Sequence, residues 1–289
     1  MHGRVDTKNP RQVERVVQEV YSELYPNSSE CFVSNIFTKV EACFNGEHPR
    51  YQAIDVLYHD LEHTLQGALC MALIIRGREL AHASPPILQR NFELGLFAIL
   101  LHDTGYLKFR GDSEGTGAKY TMIHVSRSAD FARVFLTENQ LANADEILRV
   151  QSMIRCTGVN VSLADISFEN EADKLTGYAL GTADLLGQMA ACDYVEKLPV
   201  LFKEFEEAAE YNARHTNVAS ANAAVLFKTP EELIEKTPGF WTFYVKQKIE
   251  KDFLGLYHFL SSPYPNGPNP YIDKISENML KIPEATTNP

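Results

Sequence analysis

No run in the 289-residue chain reaches the roughly 18 consecutive apolar residues that a bilayer span requires. The amino terminus, Met1-His2-Gly3-Arg4-Val5-Asp6, lacks the apolar core of a signal peptide. Cysteine is sparse: Cys31, Cys43, Cys70, Cys156 and Cys192 are scattered without a CxxC pair. That spacing argues against a disulfide framework or a thiolate metal site, and predicts reduced, mostly buried thiols in a cytoplasmic protein. Basic residues are also short. Lys and Arg number 27 against 38 Asp and Glu, a net charge of −11, which excludes the basic surface that a nucleic-acid polymer needs. A small phosphorylated ligand is not excluded, because bound cations can reverse the sign of a pocket. Strand signals are few, and no repeat, low-complexity tract or clear linker breaks the chain.

The chain does carry helical periodicity. Val13, Val16, Val17, Val20 and Leu24 mark a first helix within Arg11 to Leu24, and Val33 to Phe44 a second. A long helix is expected from Ile54 to Glu79, with apolar positions that include Leu57, Leu61 and Leu65. Asn91 is placed to cap a buried helix, Phe92 to Leu101, and Thr121 to cap Met122 to Leu136. Asn143 with Glu146 forms a capping box for a helix ending near Arg155. Gly111 to Ala118 and Gly158 to Ser162 read as loops. Asp173 to Glu196 reads as one long helix, followed by an acidic amphipathic stretch, Leu201 to Tyr211. A helix from Phe240 to Leu260, a proline-rich segment from Pro263 to Pro270 and ten frayed residues end the chain. The predicted architecture is a single all-α domain. A segment over residues 1–50 packs on a core over 51–200, and residues 201–289 extend the same domain.

Three segments concentrate imidazoles and carboxylates: Tyr58-His59-Asp60-Leu61-Glu62-His63, Leu100-Leu101-His102-Asp103 and Gly181-Thr182-Ala183-Asp184-Leu185. His59 and His63, at i and i+4, project from one face of the expected helix, a spacing that suits a metal. A solvated helix face is the plainer alternative. His102-Asp103 ends a strongly apolar segment, where two ionisable groups are costly unless paired or metal-bound. A helix carboxyl end welcomes a histidine but not an aspartate. Asp184 lies among small and apolar neighbours and calls for a cation, either a metal or an arginine.

A histidine segment, a His-Asp pair and a distant aspartate, in this order and at these separations, resemble the HD superfamily of metal-dependent phosphohydrolases. The segment at Tyr58 to His63 resembles the YHNxxH motif of class I cyclic nucleotide phosphodiesterases. Leu101-His102-Asp103 and Ala183-Asp184-Leu185 resemble their HD and CADL-type segments. The resemblance spans Tyr58 to Leu186. It implies an all-helical domain with a metal site between helices, and two divalent ions, zinc with magnesium or manganese, or iron. By the same resemblance His63, His102, Asp103 and Asp184 hold the first ion, and Asp103 bridges to the second. A bridging water becomes the nucleophile, and His59 is the general acid at the leaving oxygen. Asp60 or Glu62 is a candidate to orient an imidazole. His124, 22 residues after His102, matches the histidine that holds the second ion in other branches, including the HD-GYP cyclic dinucleotide hydrolases. Lys119, Arg127 and Arg155 are candidate phosphate contacts, and Phe240 a candidate ring to stack on a base.

The expected function is hydrolysis of a cyclic nucleotide or similar small phosphoester, with no nucleic-acid polymer or membrane as partner and a homodimer left open. Asp60 stands where the phosphodiesterase motif has Asn, and Thr104-Gly105-Tyr106 replaces their extension after the HD pair. Thr237-Pro238-Gly239-Phe240 only faintly echoes their purine-binding segment. These departures count against a specific cAMP or cGMP assignment and leave the metal-phosphoester chemistry intact. The alternatives are a nucleotide phosphomonoesterase on the same ligands, a di-iron oxygenase on the same scaffold that would need His124, and a nucleotide sensor without activity.

Overall fold

The computed structural model describes residues 5–158, 161–215 and 227–283. The helices among them, in chain order, are α1 (Pro10–Leu24), α2 (Phe32–Phe44), α3 (Leu61–Leu80), α4 (Gln89–Leu101), α5 (His124–Glu138), α6 (Ala144–Ile154), α7 (Glu171–Met189), α8 (Tyr194–His215), α9 (Pro230–Phe240) and α10 (Pro270–Leu280). The described residues form no strand; one isolated antiparallel bridge joins Tyr51 to Phe109. The fold is all-α, as the periodicity predicts. One hydrophobic cluster runs from Val13 to Ile282 and takes in residues of all three expected segments. No helix among the described residues is long and apolar enough to cross a membrane.

The centre of the fold is the α3–α7 pair, with α4 packed against both. Every residue of α3 from His63 to Ile75 and every residue of α4 from Asn91 to Leu101 is buried. Helices apolar on all faces belong in the middle of a helical domain, and the rest wrap around them. α1 packs on α3, α2 on α1 and α4, and α5 and α6 pair with each other, with α6 against α4 and α7. Two glycines set the α3–α7 spacing. A Cβ at Gly187 would lie 2.8 Å from the Gln66 backbone carbon, and one at Gly67 would lie 3.9 Å from Asp184 Cα and 3.0 Å from Ile99 Cδ1 of α4. The helix backbones therefore meet one turn from His63 and one turn from Asp184.

Several boundaries differ from expectation. The long helix begins at Leu61, not Ile54, because Asp60 caps it by accepting from the His63 backbone N–H at 2.9 Å. Leu57 consequently lies outside the helix and is 71% exposed. Asn91 sits inside α4 and donates to Asp173 at 2.8 Å, so it is not the cap. The helix expected from Met122 starts at His124, and Thr121 precedes it. The capping box at Asn143 and Glu146 is present. The helix expected over Asp173 to Glu196 is two, broken between Met189 and Tyr194. The expected Phe240 to Leu260 helix is instead the end of α9, two π-type turns and a 3-10 turn, with a reversal at Gly255 (φ 66°). The proline-rich tail leads into α10, which starts at Pro270 with Asn269 as its cap. Most of the last ten residues, expected to fray, lie outside the described residues. Cys43, Cys70 and Cys156 are buried, Cys31 and Cys192 exposed, and all five are free thiols.

Candidate metal centre

Three central helices bring four side chains to one point. His63 comes from the first turn of α3, His102 and Asp103 from the end of α4, and Asp184 from the middle of α7. His63 Nε2 lies 3.1 Å from Asp103 Oδ2 and 3.2 Å from Asp184 Oδ1. His102 Nε2 lies 3.2 and 3.4 Å from the same two oxygens, and 3.3 Å from His63 Nε2. Ligand atoms held by one zinc-sized cation at about 2.0–2.2 Å are about 3.0–3.5 Å apart when adjacent. The observed separations fall in that range. The His63, His102 and Asp103 donors all lie within 4.8 Å of one another, and all three residues are buried.

The surrounding hydrogen bonds fit a cation better than a set of neutral contacts. His102 Nδ1 lies 2.7 Å from the Ile99 carbonyl, which can only accept, so Nδ1 carries the proton. In the neutral ring Nε2 is then a lone pair pointed at carboxylate oxygens. Backbone anchoring of one ring nitrogen is the usual support of a ligating histidine. Asp103 Oδ2 is buried without a well-aligned hydrogen bond despite its close histidine neighbours. Without a cation, protons must separate these charges. Burial alone would lower the His63 pKa, but Asp103 and Asp184 outweigh it and raise it to about 9. Burial likewise opposes charge on His102, yet Asp103 and Asp184 hold it well above its usual value. Both carboxyls, against the pull of burial, lie well below the usual carboxylate range beside these two imidazoles.

A second histidine pair lies at the rim. His124 Nε2 is 3.8 Å from Asp103 Oδ1, the carboxylate oxygen not used by the first cluster. Its Nδ1 is 2.6 Å from the Thr121 carbonyl, so the same tautomer argument aims its lone pair at Asp103. Burial lowers the pKa of His124, which keeps it neutral. The turn after α4 makes this approach close. A Cβ at Gly105 would fall 2.0 Å from the His124 carbonyl oxygen, and the Gly105 N–H donates to Ser128 at 2.8 Å.

His59 does not share a helix face with His63; it precedes α3. Its Nδ1 lies 2.6 Å from Glu204 Oε2 of α8. Glu204 Oε1 also accepts the Leu57 and Tyr58 backbone N–H groups, at 2.9 and 2.6 Å. One buried carboxylate thus folds the 57–59 segment around itself. The His59 ring stacks on Tyr106 at 4.7 Å, and Tyr106 stacks on His124 at 4.8 Å. The ring centroids of His59 and His63 are 5.4 Å apart. Glu204 is therefore the carboxylate that orients an imidazole, rather than Asp60 or Glu62. Asp60 is a helix cap, and Glu62 pairs with Lys197 at 2.7 Å. Glu204 sits in the acidic stretch read as amphipathic surface, and nothing in its local spacing sets it apart from Glu206, Glu207 or Glu210.

Two of the candidate phosphate contacts are committed elsewhere. Lys119 is buried and bonds Asp112 and the Glu114 carbonyl, each at 2.6 Å. Arg127 donates to the Gly105 and Leu107 carbonyls at 2.7 and 2.8 Å and lies 3.6 Å over the Tyr120 ring. Both hold the loop after α4 in shape. Arg155 is exposed after α6. Phe240 ends α9, is 42% exposed and stacks on Tyr244 at 5.1 Å. A small crevice lined by Tyr58, Gln66, Gln188, Ala191, Tyr194 and Lys197 reaches His63.

No curated protein matches the sequence. The family model described as Npun_R2479-like matches residues 109–260, just over half of the 289 residues. His124, Asp184 and Glu204 fall inside that span, while His59, His63, His102 and Asp103 precede it. The chain belongs to the Npun_R2479-like family.

Proposed function

We propose that the protein is a metal-dependent phosphoester hydrolase of the HD type. The observation that carries this reading is the donor set. His63, His102, Asp103 and Asp184 converge from three buried helices, His124 faces the free oxygen of Asp103, and a tethered histidine stands beside them. The first four residues would hold one divalent ion, and Asp103 with His124 would contribute to a second. Ions bound there would neutralise phosphoryl oxygens and acidify a water.

The protein's own groups would do the rest. Glu204 accepts three donors and so acts as a fixed acceptor for His59 Nδ1–H. That leaves His59 Nε2 to carry a proton towards a departing alkoxide, a task matched to an imidazole near neutral pH. The buried helix ends exclude water from the ligand atoms, which strengthens their charge interactions.

The reading is tested by metal analysis together with hydrolysis assays. The manganese-loaded protein is expected to turn over at least one member of a panel of cyclic mononucleotides, cyclic dinucleotides, nucleoside phosphates and chromogenic alkyl and aryl phosphodiesters. No hydrolysis across the panel overturns the proposal. Tightly bound iron with a visible absorption band would instead favour oxygen chemistry, for which His124 supplies a further nitrogen ligand.

A further inference from the structure

Four histidines surround the centre, and three of them have an anchored Nδ1. His102 meets the Ile99 carbonyl at 2.7 Å, His124 the Thr121 carbonyl at 2.6 Å and His59 the Glu204 carboxylate at 2.6 Å. His63 is the exception. Its side chain is 4% exposed, and its Nδ1 is buried with no hydrogen-bond partner among the described residues. A cation at Nε2 takes the lone pair of that nitrogen, so Nδ1 carries the proton. A ligating histidine almost always donates this N–H to an acceptor, and a buried donor left unpaired is costly.

The crevice beside His63 supplies the other half. Asp103, Asp184 and His102 crowd Nε2, and none of them lines the crevice, so the ring meets it on the opposite, Nδ1 side. Tyr194 lines it too. That residue is 5% exposed, and its hydroxyl donates no hydrogen bond among the described residues. Burial raises the Tyr194 pKa, so the hydroxyl keeps its proton. Two buried donors thus border one small space. Other polar groups along it are engaged. Gln188 accepts from the Tyr58 hydroxyl at 2.7 Å and donates to the Asp184 carbonyl at 3.0 Å, and Lys197 pairs with Glu62 at 2.7 Å. Gln66 donates to Glu62 at 3.3 Å, which leaves its Oε1 as an acceptor. The crevice has room for about one water molecule. A water there meets two donors and an acceptor, about the three partners usual for a buried water.

We propose that one water occupies this crevice, accepts from His63 Nδ1–H and from the Tyr194 hydroxyl, and anchors the His63 ring. Tyr194 is then a positioning residue that acts on a metal ligand through a water. The inference rests on the metal centre of the hydrolase reading, and not on its chemistry.

The test uses zinc, a closed-shell ion that leaves imidazole proton signals observable. A high-resolution crystal structure of the zinc-loaded protein should show a water about 2.7–3.2 Å from both His63 Nδ1 and the Tyr194 hydroxyl oxygen. Tyr194→Phe keeps the ring and removes one partner of the water. Zinc affinity, measured by competition with a chromophoric chelator, should fall about tenfold, the low end of what a lost supporting contact costs. The His63 Nδ1–H resonance should move upfield in this variant, while that of His102, bonded to a backbone carbonyl, stays in place. Ala191→Leu, which fills the crevice from another wall, should weaken zinc binding at least as much and move the same resonance. Movement of both histidine signals together would mark lost packing and overturn the proposal. So would the lack of a bridging water, a direct protein acceptor at His63 Nδ1, or wild-type zinc affinity in both variants. Hydrolysis assays separate the two readings. A bridging water with variant-sensitive zinc affinity, in a protein that hydrolyses nothing in the panel, leaves the anchor standing and removes the hydrolase. Turnover with zinc affinity indifferent to both variants does the reverse.

Discussion

The ligand cage and the rim that flanks it are built by different means. His63, His102, Asp103 and Asp184 project from helices whose surroundings are apolar; helix packing brings them together, with the His102 ring held by the Ile99 carbonyl. His59 and His124 stand in or beside irregular segments. They are placed by polar contacts to Glu204 and the Thr121 carbonyl, and by the Tyr106 ring they share. A cage held by packing tolerates little movement. A rim held by a few polar contacts can be changed one contact at a time. Binding and chemistry should therefore separate experimentally.

The largest effect is expected at the cage. Asp103→Asn keeps the shape but removes the charge that faces both imidazoles and His124. It should abolish stoichiometric metal binding, measured by elemental analysis. The loss of turnover should exceed the roughly 100-fold that removal of a supporting group costs. Retention of two ions per chain would break the assignment of Asp103 as the shared ligand.

At the rim the expected pattern is different. His59→Ala should lower kcat by about 10²–10⁴, the range of a lost general acid, with metal content unchanged. Glu204→Gln should lower kcat less, because Oε1 can still accept the Leu57 and Tyr58 N–H groups while the His59 anchor weakens. Glu204→Ala would also leave those two buried N–H groups unpaired, at about 1–3 kcal/mol each, and lower the melting temperature. If either His59→Ala or Glu204→Gln releases metal, the cage and the rim are not separate.

The cage was legible in sequence for the same reason that it is rigid. An imidazole or carboxylate inside an apolar run stands out, because burial makes it costly without a partner. His102, Asp103 and Asp184 carry that signature, and the structure brings them together with His63 and His124. The rim histidines, His59 and His124, came from the resemblance, but the contacts that place them were not legible. Glu204 acts across 145 residues on His59, and its acidic neighbours disguise it. Lys119 and Arg127 resemble phosphate contacts by type and position, but long-range pairing with Asp112 and with backbone carbonyls assigns them to the loop. The helix start at Leu61 was misplaced because Leu57 fits the apolar period. The competing cap at Asp60 and the contacts to Glu204 override it.

A pH titration contrasts the protonated and metal-bound forms of the cage. In metal-free protein the folded pKa of His63, about 9, lies above its ordinary value near 6.5. Its pairing with Asp103 and Asp184 therefore stabilises the fold fully below about pH 6.5, and this contribution is lost as pH rises to about 9. Metal-free protein should lose melting temperature across that window. Metal-bound protein should lose less, because a cation replaces the proton. Binding at pH 7 should release protons, detected as a dependence of calorimetric enthalpy on buffer ionisation. Equal pH profiles for both forms would show that His63 does not exchange its proton for the ion.

The smallest effect is expected from one methyl group at the α3–α7 crossing. The new Cβ in Gly187→Ala would meet the Gln66 backbone at 2.8–2.9 Å, and backbone cannot rotate away as a side chain can. Overpacking of this kind costs about 1–3 kcal/mol, visible as a lower melting temperature. The displacement should also part His63 from Asp184, which face each other at 3.2 Å one turn away. Metal affinity should then fall while the His59–Glu204 contact, built on α8 and the 57–59 segment, keeps its geometry. Gly239, whose Cβ would meet only the Phe243 ring at 4.0 Å, provides the control. Gly239→Ala should leave metal affinity at the wild-type value. If Gly187→Ala loses stability but holds metal as tightly as Gly239→Ala, the ligand separations do not depend on this crossing. The cage would then be held by the packing of α4 on α3 and on α7.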